Sequence, residues 1–333
     1  MGFGIPFAFV ATHNHFVLDR GGKVFKQSAP VIKLPANATL DDHLDLLGLL
    51  NSSSLAFWMR QVFHDKGNGG IGGGIASEDW ERFYEYDSTK LQRAPIVTRD
   101  RAARIALAQA LDATAQARAA CVPEAVLASS AWTPDTLALR LEAAREQYLE
   151  LTHRMVALQE ELDWLTYGSY GLLEGHSTRG PDALEPLAPG HRPFEILLAL
   201  HDEEADEDEK TAWFTRHCHD RVTGIPGHYS AATAARIQAR MALIEESPTL
   251  QMLEQPAHKR RWQTPDLLEE AKKGAERWLL DRLEDLFAPA RDAQSAGSLS
   301  TPRPYRLEEI VAALRPDPRV VAVAAVLEGT VNV

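Results

Sequence analysis

Residues 46–97 decide the fold class, and they read LLGLLNSSSLAFWMRQVFHDKGNGGIGGGIASEDWERFYEYDSTKLQRAPIV. Leu47, Leu50, Leu55 and Trp58 recur near the helical period, which predicts an amphipathic helix through this part of the chain. The glycine-rich residues 67–74 can form neither a helix nor a stable strand interior, because too much backbone entropy would be lost. The aromatic residues that follow predict a strand over residues 83–97. One short stretch therefore mixes helix, glycine loop and strand.

The sequence before this stretch adds a hairpin and a helix start. Residues 7–18 form an apolar and aromatic run that predicts a strand, and residues 23–34 predict the returning strand. Between them lies Asp19-Arg20-Gly21-Gly22, where two glycines allow a positive φ in the turn. Thr39 can cap a long helix that starts with Asp41 and Asp42, since acidic side chains favour the positive N-terminus of a helix. Residues 1–97 are thus expected to form a small mixed module.

The chain after residue 98 predicts helices. Alanine, leucine and arginine at helical spacing predict two long helices, 101–121 and 134–167, within a helical spacer of residues 98–175. Prolines and glycines make residues 176–193 a linker. Residues 194–333 then predict an α-helical C-terminal domain with helices at 194–201, 204–219, 230–246, 265–287 and 307–314. The expected fold class is α+β, with a small mixed module followed by a mainly α-helical spacer and C-terminal domain.

Charge is unevenly distributed along the 333 residues. The net charge is −12, yet residues 1–100 hold 10 Lys/Arg against 11 Asp/Glu, whereas residues 101–333 hold 25 against 36. Affinity for DNA comes largely from neutralising phosphates. A DNA-binding surface is therefore expected in the first third, and the acidic remainder suits a scaffold that faces protein or solvent.

Four stretches of the chain resemble one family. They are residues 46–97, Trp213-Phe214-Thr215-Arg216-His217, the run IEESPTLQMLEQPAHKRRWQTPDLLEEA from Ile244, and Leu314-Arg315-Pro316-Asp317. Together they resemble the C-terminal portion of PglX-type adenine-specific DNA methyltransferases from BREX and phage growth limitation systems, closest to type 2 BREX. The likeness to fused restriction-modification enzymes is looser. The resemblance implies that residues 1–97 belong to a DNA target-recognition module.

The catalytic half of that family is not recognisable in this sequence. Asn-Pro-Pro does not occur, and Phe3-Gly4-Ile5-Pro6 breaks the Phe-x-Gly-x-Gly pattern of the S-adenosylmethionine loop. The resemblance implies S-adenosylmethionine for full-length members, whereas we expect no cofactor and no catalytic residue in this chain. The expected partners are double-stranded DNA, a methyltransferase catalytic domain or subunit, and other proteins of the defence system.

Residues able to read DNA lie in or beside the turns of the first module. Arginine and lysine can pair guanine, and asparagine and glutamine can pair adenine. The candidates are Arg20, Lys23, Lys26, Lys66, Asn68, Lys90 and Gln92. The alternative for each is an ordinary surface side chain.

A second candidate is the basic cluster of Lys259, Arg260, Arg261 and Trp262, which stands in an otherwise acidic region. Such a cluster can hold carboxylates of its own chain or contact a phosphate. The surrounding Glu245, Glu246, Glu254 and Glu269 favour the structural interpretation.

The remaining motifs favour no chemistry strongly. His13-Asn14-His15 resembles a pair of metal ligands, but no third ligand is placed beside it. The three side chains of His217-Cys218-His219 would point in different directions on a helix, so no metal is expected. Pro265-Asp266 with Glu270-Ala271-Lys272 is spaced too closely for a nuclease site and instead indicates a helix start. Cys121 and Cys218 form no Cys-x-x-Cys.

No apolar run approaches the roughly 18 residues of a membrane span, so a cytoplasmic protein without membrane contact is expected. The alternative function from another class is a protein–protein scaffold of a defence complex that does not read DNA.

Overall fold

A computed structural model describes residues 2–67, 78–175, 177–206, 210–287 and 304–329. These residues form two compact units. Unit 1 comprises Met1–Ala115 and Thr152–Gln263, and unit 2 comprises Gln116–Leu151 and Thr264–Val333. Each unit is built from two separated pieces of chain.

Unit 1 opens with short antiparallel strands. β1 (Ile5–Pro6) pairs with β3 (Val31–Ile32), and a second sheet has the order β2 (Val10–Ala11), β5 (Phe83–Glu85), β4 (His64–Gly67). Bridges from Gly4 to Asp19 and from Phe7 to Phe16 extend the first hairpin without continuous strand pairing. The single strand predicted over residues 7–18 is wrong, because Phe7 pairs with Phe16 inside that range and β2 pairs with β5. Of the returning strand predicted over residues 23–34, only β3 forms, paired with β1. The predicted glycine loop falls largely on residues 68–77, outside the described residues.

The helix predicted after Thr39 is two helices, α1 (Leu40–Leu50) and α2 (Ser53–Val62). Thr39 caps α1 as expected, with its side chain accepting from the backbone of Asp42. The break follows from Asn51, whose amide both accepts from and donates to the backbone of Phe16. Ser52 then caps α2 by accepting from Leu55 N. A tertiary contact and a local cap together interrupt the helical period.

The core of unit 1 is helical and surrounds the second half of α6 (Leu137–Ser169). Val156, Leu158, Leu162, Trp164 and Tyr167 are fully buried there. The packing partners come from all three thirds of the chain, for example Leu107, Ile196 and Leu250. The remaining helices of unit 1 are α3 (Ser88–Leu91), α4 (Arg101–Ala119), α7 (Pro193–Glu204), α8 (Trp213–His217), α9 (Ala231–Glu246) and α10 (Pro248–Leu253). α4 begins in unit 1 and ends in unit 2, whereas α6 begins in unit 2 and ends in unit 1.

Unit 2 packs α11 (Leu267–Phe287) against α5 (Pro123–Ala128) and α13 (Pro318–Leu327). Gly274 permits the close approach of α11, because a Cβ there would lie 3.3 Å from the backbone nitrogen of Glu124. Trp132, buried in this core, lies under the guanidinium of Arg319, which is 3.9 Å from the ring centre. α12 (Leu307–Leu314) completes the described helices of this unit.

The predicted α+β class is confirmed, and most helix predictions match within a few residues. One differs clearly. Of residues 204–219, only Trp213–His217 forms a new helix, because α7 ends at Glu204 and Cys218 takes a left-handed φ of 54° that terminates α8. Four helices, α3, α5, α10 and α13, were not expected. α3 lies within residues 83–97, where a strand was predicted and only Phe83–Glu85 forms one. No helix among the described residues has the length and apolar content to cross a bilayer.

Candidate functional site

The centre of unit 1 holds charged side chains that are excluded from water. On α6, Glu160, Glu161 and Asp163 are each at most 2 % exposed. They lie between apolar residues in the second half of α6, where residues 155–167 are all buried. A buried charge is tolerated only when it is paired and hydrogen-bonded, so each carboxylate must find a partner from elsewhere in the chain.

Lys259 is the cationic partner of two of these carboxylates, Glu160 and Asp163. Its ammonium lies 3.1 Å from Glu160, 3.0 Å from Asp163 and 2.9 Å from Glu254. Burial disfavours the charged form, but the three carboxylates outweigh burial and raise the pKa of Lys259 above its ordinary value. Tyr167 donates to Glu254 from the other side, at 2.5 Å. We call Lys259 and these three carboxylates the lysine cluster.

Glu195 on α7 is the centre of a second buried network. Its carboxylate accepts two hydrogen bonds from the guanidinium of Arg192, at 2.8 and 2.7 Å, and one from the indole of Trp213. His219 lies 2.8 Å from the same carboxylate. Burial would raise the pKa of Glu195, yet the Arg192 charge and hydrogen bonds hold it well below its usual range. The carboxylate is therefore ionised in the folded protein.

The two histidine triplets converge on the basic cluster. Arg261 donates to both Thr12 and the carbonyl of Trp80, and the Trp80 ring lies 5.1 Å from that of His217. Burial lowers the pKa of His13 well below its usual value, and the charges of Arg261 and Arg260 lower it further. Three segments far apart in sequence thus share one cationic region.

The other members of the basic cluster have structural contacts as well. Arg260 lies 5.4 Å over the Trp262 ring and 3.3 Å from the side-chain oxygen of Asn51. The buried Trp262 contributes its carbonyl to His219. For Arg261, burial lowers the pKa to about 10, and the neighbouring Arg60 charge acts in the same direction. The segment 259–262 therefore connects the lysine cluster to the histidines.

Three of the predicted DNA-reading residues are paired with carboxylates of their own chain. Arg20 pairs with Asp112, Lys66 with Glu85, and Lys90 lies 3.8 Å from Asp87. Gln92 is the exposed C-terminal cap of α3. Asn68 lies outside the described residues. Lys23 and Lys26 are exposed, and neither has an ion pair within the described part of the chain.

Among the described residues, no three histidine, cysteine or carboxylate side chains are arranged to hold a metal ion. His13 and His15 stack with ring centres 5.9 Å apart, and His217 and His219 lie 5.4 Å apart. These histidines contact aromatic rings, backbone carbonyls and Glu195.

Comparison with known proteins identifies the family. Residues 155–333, more than half of the chain, match the model of a domain of unknown function, DUF7008. The chain belongs to the DUF7008 family. Both buried networks of the DUF7008 chain lie mainly within the matched residues.

A longer relative is similar to more of the chain. It is the adenine-specific methyltransferase PglX of Streptomyces coelicolor, which is 40% identical over 295 residues. That match covers 85% of the DUF7008 chain but only 23% of PglX, so the chain spans about a quarter of this relative's length. The resemblance to a portion of a PglX-type protein, expected from sequence, is confirmed. No solved structure matches the chain.

Sequence reasoning missed Arg192 and Glu195. Their signal was present, since Glu195 interrupts the apolar run of residues 193–200 and Arg192 precedes it by three positions, a spacing that brings side chains together on a helix. The carboxylates of α6 gave the same kind of signal, because Glu160, Glu161 and Asp163 interrupt an otherwise mainly apolar stretch of the sequence.

The buried side chain of His258 should make the folded protein less stable in acid. Burial lowers the pKa of His258 to about 4, whereas an unfolded histidine titrates near 6.5. The unfolded state therefore binds the extra proton first, and this contribution to stability is complete above about pH 6.5 and lost as pH falls toward 4. Between pH 7 and pH 5 we expect a loss of about 2 kcal/mol through this group.

Urea unfolding of the wild type and His258→Gln at both pH values measures it. Glu254 titrates in the opposite sense, because burial raises its pKa to about 7, but its contribution is common to both proteins and cancels in the comparison. The variant should lose less stability on acidification than the wild type. Equal losses would contradict the assignment to His258.

Proposed function

We propose that this chain is the DNA-recognition or accessory portion of an adenine-N6 DNA methyltransferase in a phage-defence system of the BREX or Pgl type. The observation that carries the proposal is the match to PglX, 40% identical over 85% of the chain but confined to 23% of the relative. The chain thus corresponds to one part of a larger methyltransferase. It acts in the cytoplasm, where its DNA substrate lies.

The sequence motifs agree with a non-catalytic role for this portion. Neither Asn-Pro-Pro nor a complete Phe-x-Gly-x-Gly loop occurs in the 333 residues. The methyl group and the catalytic residues would then come from a separate domain or subunit that binds S-adenosylmethionine. This chain would position that partner on double-stranded DNA.

Charge supports the first third of the chain as the DNA-contacting part. Lys23 and Lys26 occupy the segment that links the first hairpin to β3, and both ammonium groups are exposed without a carboxylate partner in the described structure. Lysine and arginine side chains neutralise phosphates, and an unpaired ammonium can do so without losing an ion pair. Arg20, Lys66 and Lys90 would first have to exchange an acidic partner for the nucleic acid.

The test is DNA binding by the full chain at two salt concentrations. Lys23→Ala combined with Lys26→Ala should weaken binding to every duplex alike, because phosphate contacts carry no sequence information. Each lost contact should reduce the slope of log K against log salt by about 0.9. Fluorescence anisotropy with two unrelated duplexes at 50 and 150 mM salt gives both quantities.

The matched control removes the same charge elsewhere. Lys272 and Lys273 on α11 pair with Glu269 and Glu270 on the same helix. Replacing both by alanine should leave affinity and salt slope unchanged. Equal weakening by the two double variants would mean that only net charge matters, and the assignment to the first third would be lost.

A scaffold role without DNA reading is the second candidate, and one observation favours it. Residues 101–333 carry 25 Lys/Arg against 36 Asp/Glu, a balance that repels DNA and suits contacts with basic protein surfaces. A wild-type chain that binds neither duplex at 50 mM salt, yet co-purifies with a methyltransferase subunit, would support the scaffold.

A further inference from the structure

Arg261 is a partly buried cation without an acidic partner. Its guanidinium donates to the hydroxyl and the carbonyl of Thr12 and to the carbonyl of Trp80, and it forms no ion pair within the described part of the chain. Burial and the neighbouring Arg60 charge lower its pKa to about 10, so the ionised form is less favourable here than in water. Charges removed from water are normally paired. An anion from outside the chain would restore that pairing.

The acidic side chains on either side of Trp80 do not balance that charge, because each has an arginine of its own. Asp79 lies 2.6 Å from Arg60, and Glu81 lies 3.3 Å from Arg216. These two cations and two anions cancel. The guanidinium that contacts the Trp80 carbonyl is therefore in excess.

The turn at Thr12 places hydrogen-bond donors beside this excess charge. The Thr12 hydroxyl accepts from Arg261 and lies 3.3 Å from Nδ1 of His13. Burial and the charges of Arg261 and Arg260 lower the pKa of His13 and keep its ring neutral. The hydroxyl can then donate to Nδ1, which leaves the ring proton on Nε2. His15 is exposed, and its ring stacks on that of His13 with centres 5.9 Å apart. The turn thus presents imidazole N–H groups next to the guanidinium.

An anion from solvent can reach this region. Five of its side chains are at least partly exposed, namely Thr12, His13, His15, Arg260 and Arg261. Arg260 is positioned by the Trp262 ring, 5.4 Å away, and by Oδ1 of Asn51 at 3.3 Å. Lys259, by contrast, is completely buried among three carboxylates. The basic cluster therefore divides into a structural lysine and two partly exposed arginines.

The region adjoins a segment already proposed to contact DNA. Phe9 N donates to the carbonyl of Ser28 at 3.0 Å. Phe9 precedes Thr12 by three positions, and Ser28 follows the exposed Lys26 by two. The segment that carries Lys26 thus runs beside the strand that leads into the turn. A duplex that contacts this lysine would pass close to the two arginines.

We propose that Arg260, Arg261 and the histidine turn form a binding site for one phosphate group. Arg261 supplies charge and holds the turn, whereas Arg260 and the imidazoles of His13 and His15 donate to the phosphate oxygens. Hydrogen bonds from a guanidinium to phosphate are among the strong ones in proteins. In the proposed function this group is a backbone phosphate of the duplex. The source of the phosphate rests on that function; the site itself does not.

Titration of the full chain with inorganic phosphate tests the site, with the ring signals of isotopically labelled histidines followed by NMR. The signals of His13 and His15 should shift saturably. Arg260→Gln should weaken binding about tenfold or more, as expected for one lost charged contact. Arg140→Gln removes the same charge from an exposed position of α6 and should leave binding unchanged.

A second pair of variants avoids any effect of Arg260 on folding. His15→Ala removes an exposed ring and should weaken phosphate binding by less than about tenfold, as one neutral donor does. His201→Ala removes an exposed ring from α7 and should not change it. Thermal melting of each variant shows whether it is folded as the wild type is.

The source of the phosphate is identified with the two duplexes at 50 and 150 mM salt. If the site holds a backbone phosphate, duplex should reverse the shifts caused by inorganic phosphate. Arg260→Gln should then reduce the slope of log K against log salt by about 0.9. Phosphate binding lost in Arg260→Gln with unchanged duplex binding would assign the site to a free phosphate compound.

The failure of the site and the failure of the proposed function have different signatures. A wild-type chain that binds no duplex contradicts the DNA-binding function, and the phosphate titration alone then decides about the site. If Arg260→Gln behaves as Arg140→Gln does with both phosphate and duplex, the phosphate site is overturned, even where the wild type binds DNA.

Discussion

Replacing Lys259 by methionine should lower the free energy of unfolding by about 3–5 kcal/mol, the usual cost of removing one partner from a buried ion pair. The ammonium is completely buried and is the cation that contacts Glu160, Asp163 and Glu254. Methionine keeps most of the side-chain volume but leaves three carboxylates without their shared counter-charge. Urea unfolding followed by tryptophan fluorescence measures the loss, because Trp164 donates to Glu160 within the same network.

An exposed lysine provides the control. Lys272 pairs with Glu269 on α11, and its side chain is 34% exposed. Lys272→Met should change stability by less than about 1 kcal/mol, as surface ion pairs do. A Lys259→Met protein as stable as the wild type would show that the carboxylates take up protons instead, and that the charges of the lysine cluster contribute little.

Local signals predicted the helices of this protein well. Thr39 and Ser230 cap α1 and α9 where the sequence placed helix starts, and α12 has the predicted bounds. Caps and helical periodicity depend on residues a few positions apart, so the sequence contains the whole signal. The single helix expected through residue 51 failed for the opposite reason, since Asn51 is held by Phe16, 35 positions away.

The buried networks could be predicted only in part. The basic cluster was expected either to hold carboxylates or to contact phosphate, and Lys259 does contact Glu254, one of the acids named for that role. Glu160 and Asp163 lie about one hundred positions earlier, and no spacing rule connects them to Lys259. Which carboxylates approach a buried cation is decided by how the helices pack. Sequence can indicate that a buried charge needs a partner, but not which one.

The DNA-reading residues remain predictions. Their selection rested on side-chain chemistry and on position beside turns, whereas a groove is read only by side chains that are free to reach it. Ion pairs such as that of Arg20 with Asp112 depend on a helix that lies 92 positions away. This dependence separates Lys23 and Lys26 from the other candidates and makes them the first to test.

Glu195→Ala should destabilise the protein by about 3–5 kcal/mol, because it leaves the fully buried guanidinium of Arg192 without its counter-charge. The carboxylate also accepts from Trp213 and from Gly190 N, so two further donors lose their partner. Glu203→Ala, at an exposed position of the same helix, should cost less than about 0.5 kcal/mol. Urea unfolding of both variants gives the comparison.

A double variant separates the cost of an unpaired charge from the net value of the pair. Replacing Arg192 and Glu195 together by Met and Leu removes both charges, and apolar groups of similar volume can replace a buried pair with little loss. The double variant should therefore be more stable than Glu195→Ala, although it loses both charged groups. Arg192 also donates to the carbonyl of Arg260 at 2.8 Å, so part of the loss should remain. If the effects of Arg192→Met alone and Glu195→Leu alone summed to that of the double variant, Arg192 and Glu195 would not be energetically coupled, and the network around Glu195 would contribute through packing rather than through charge.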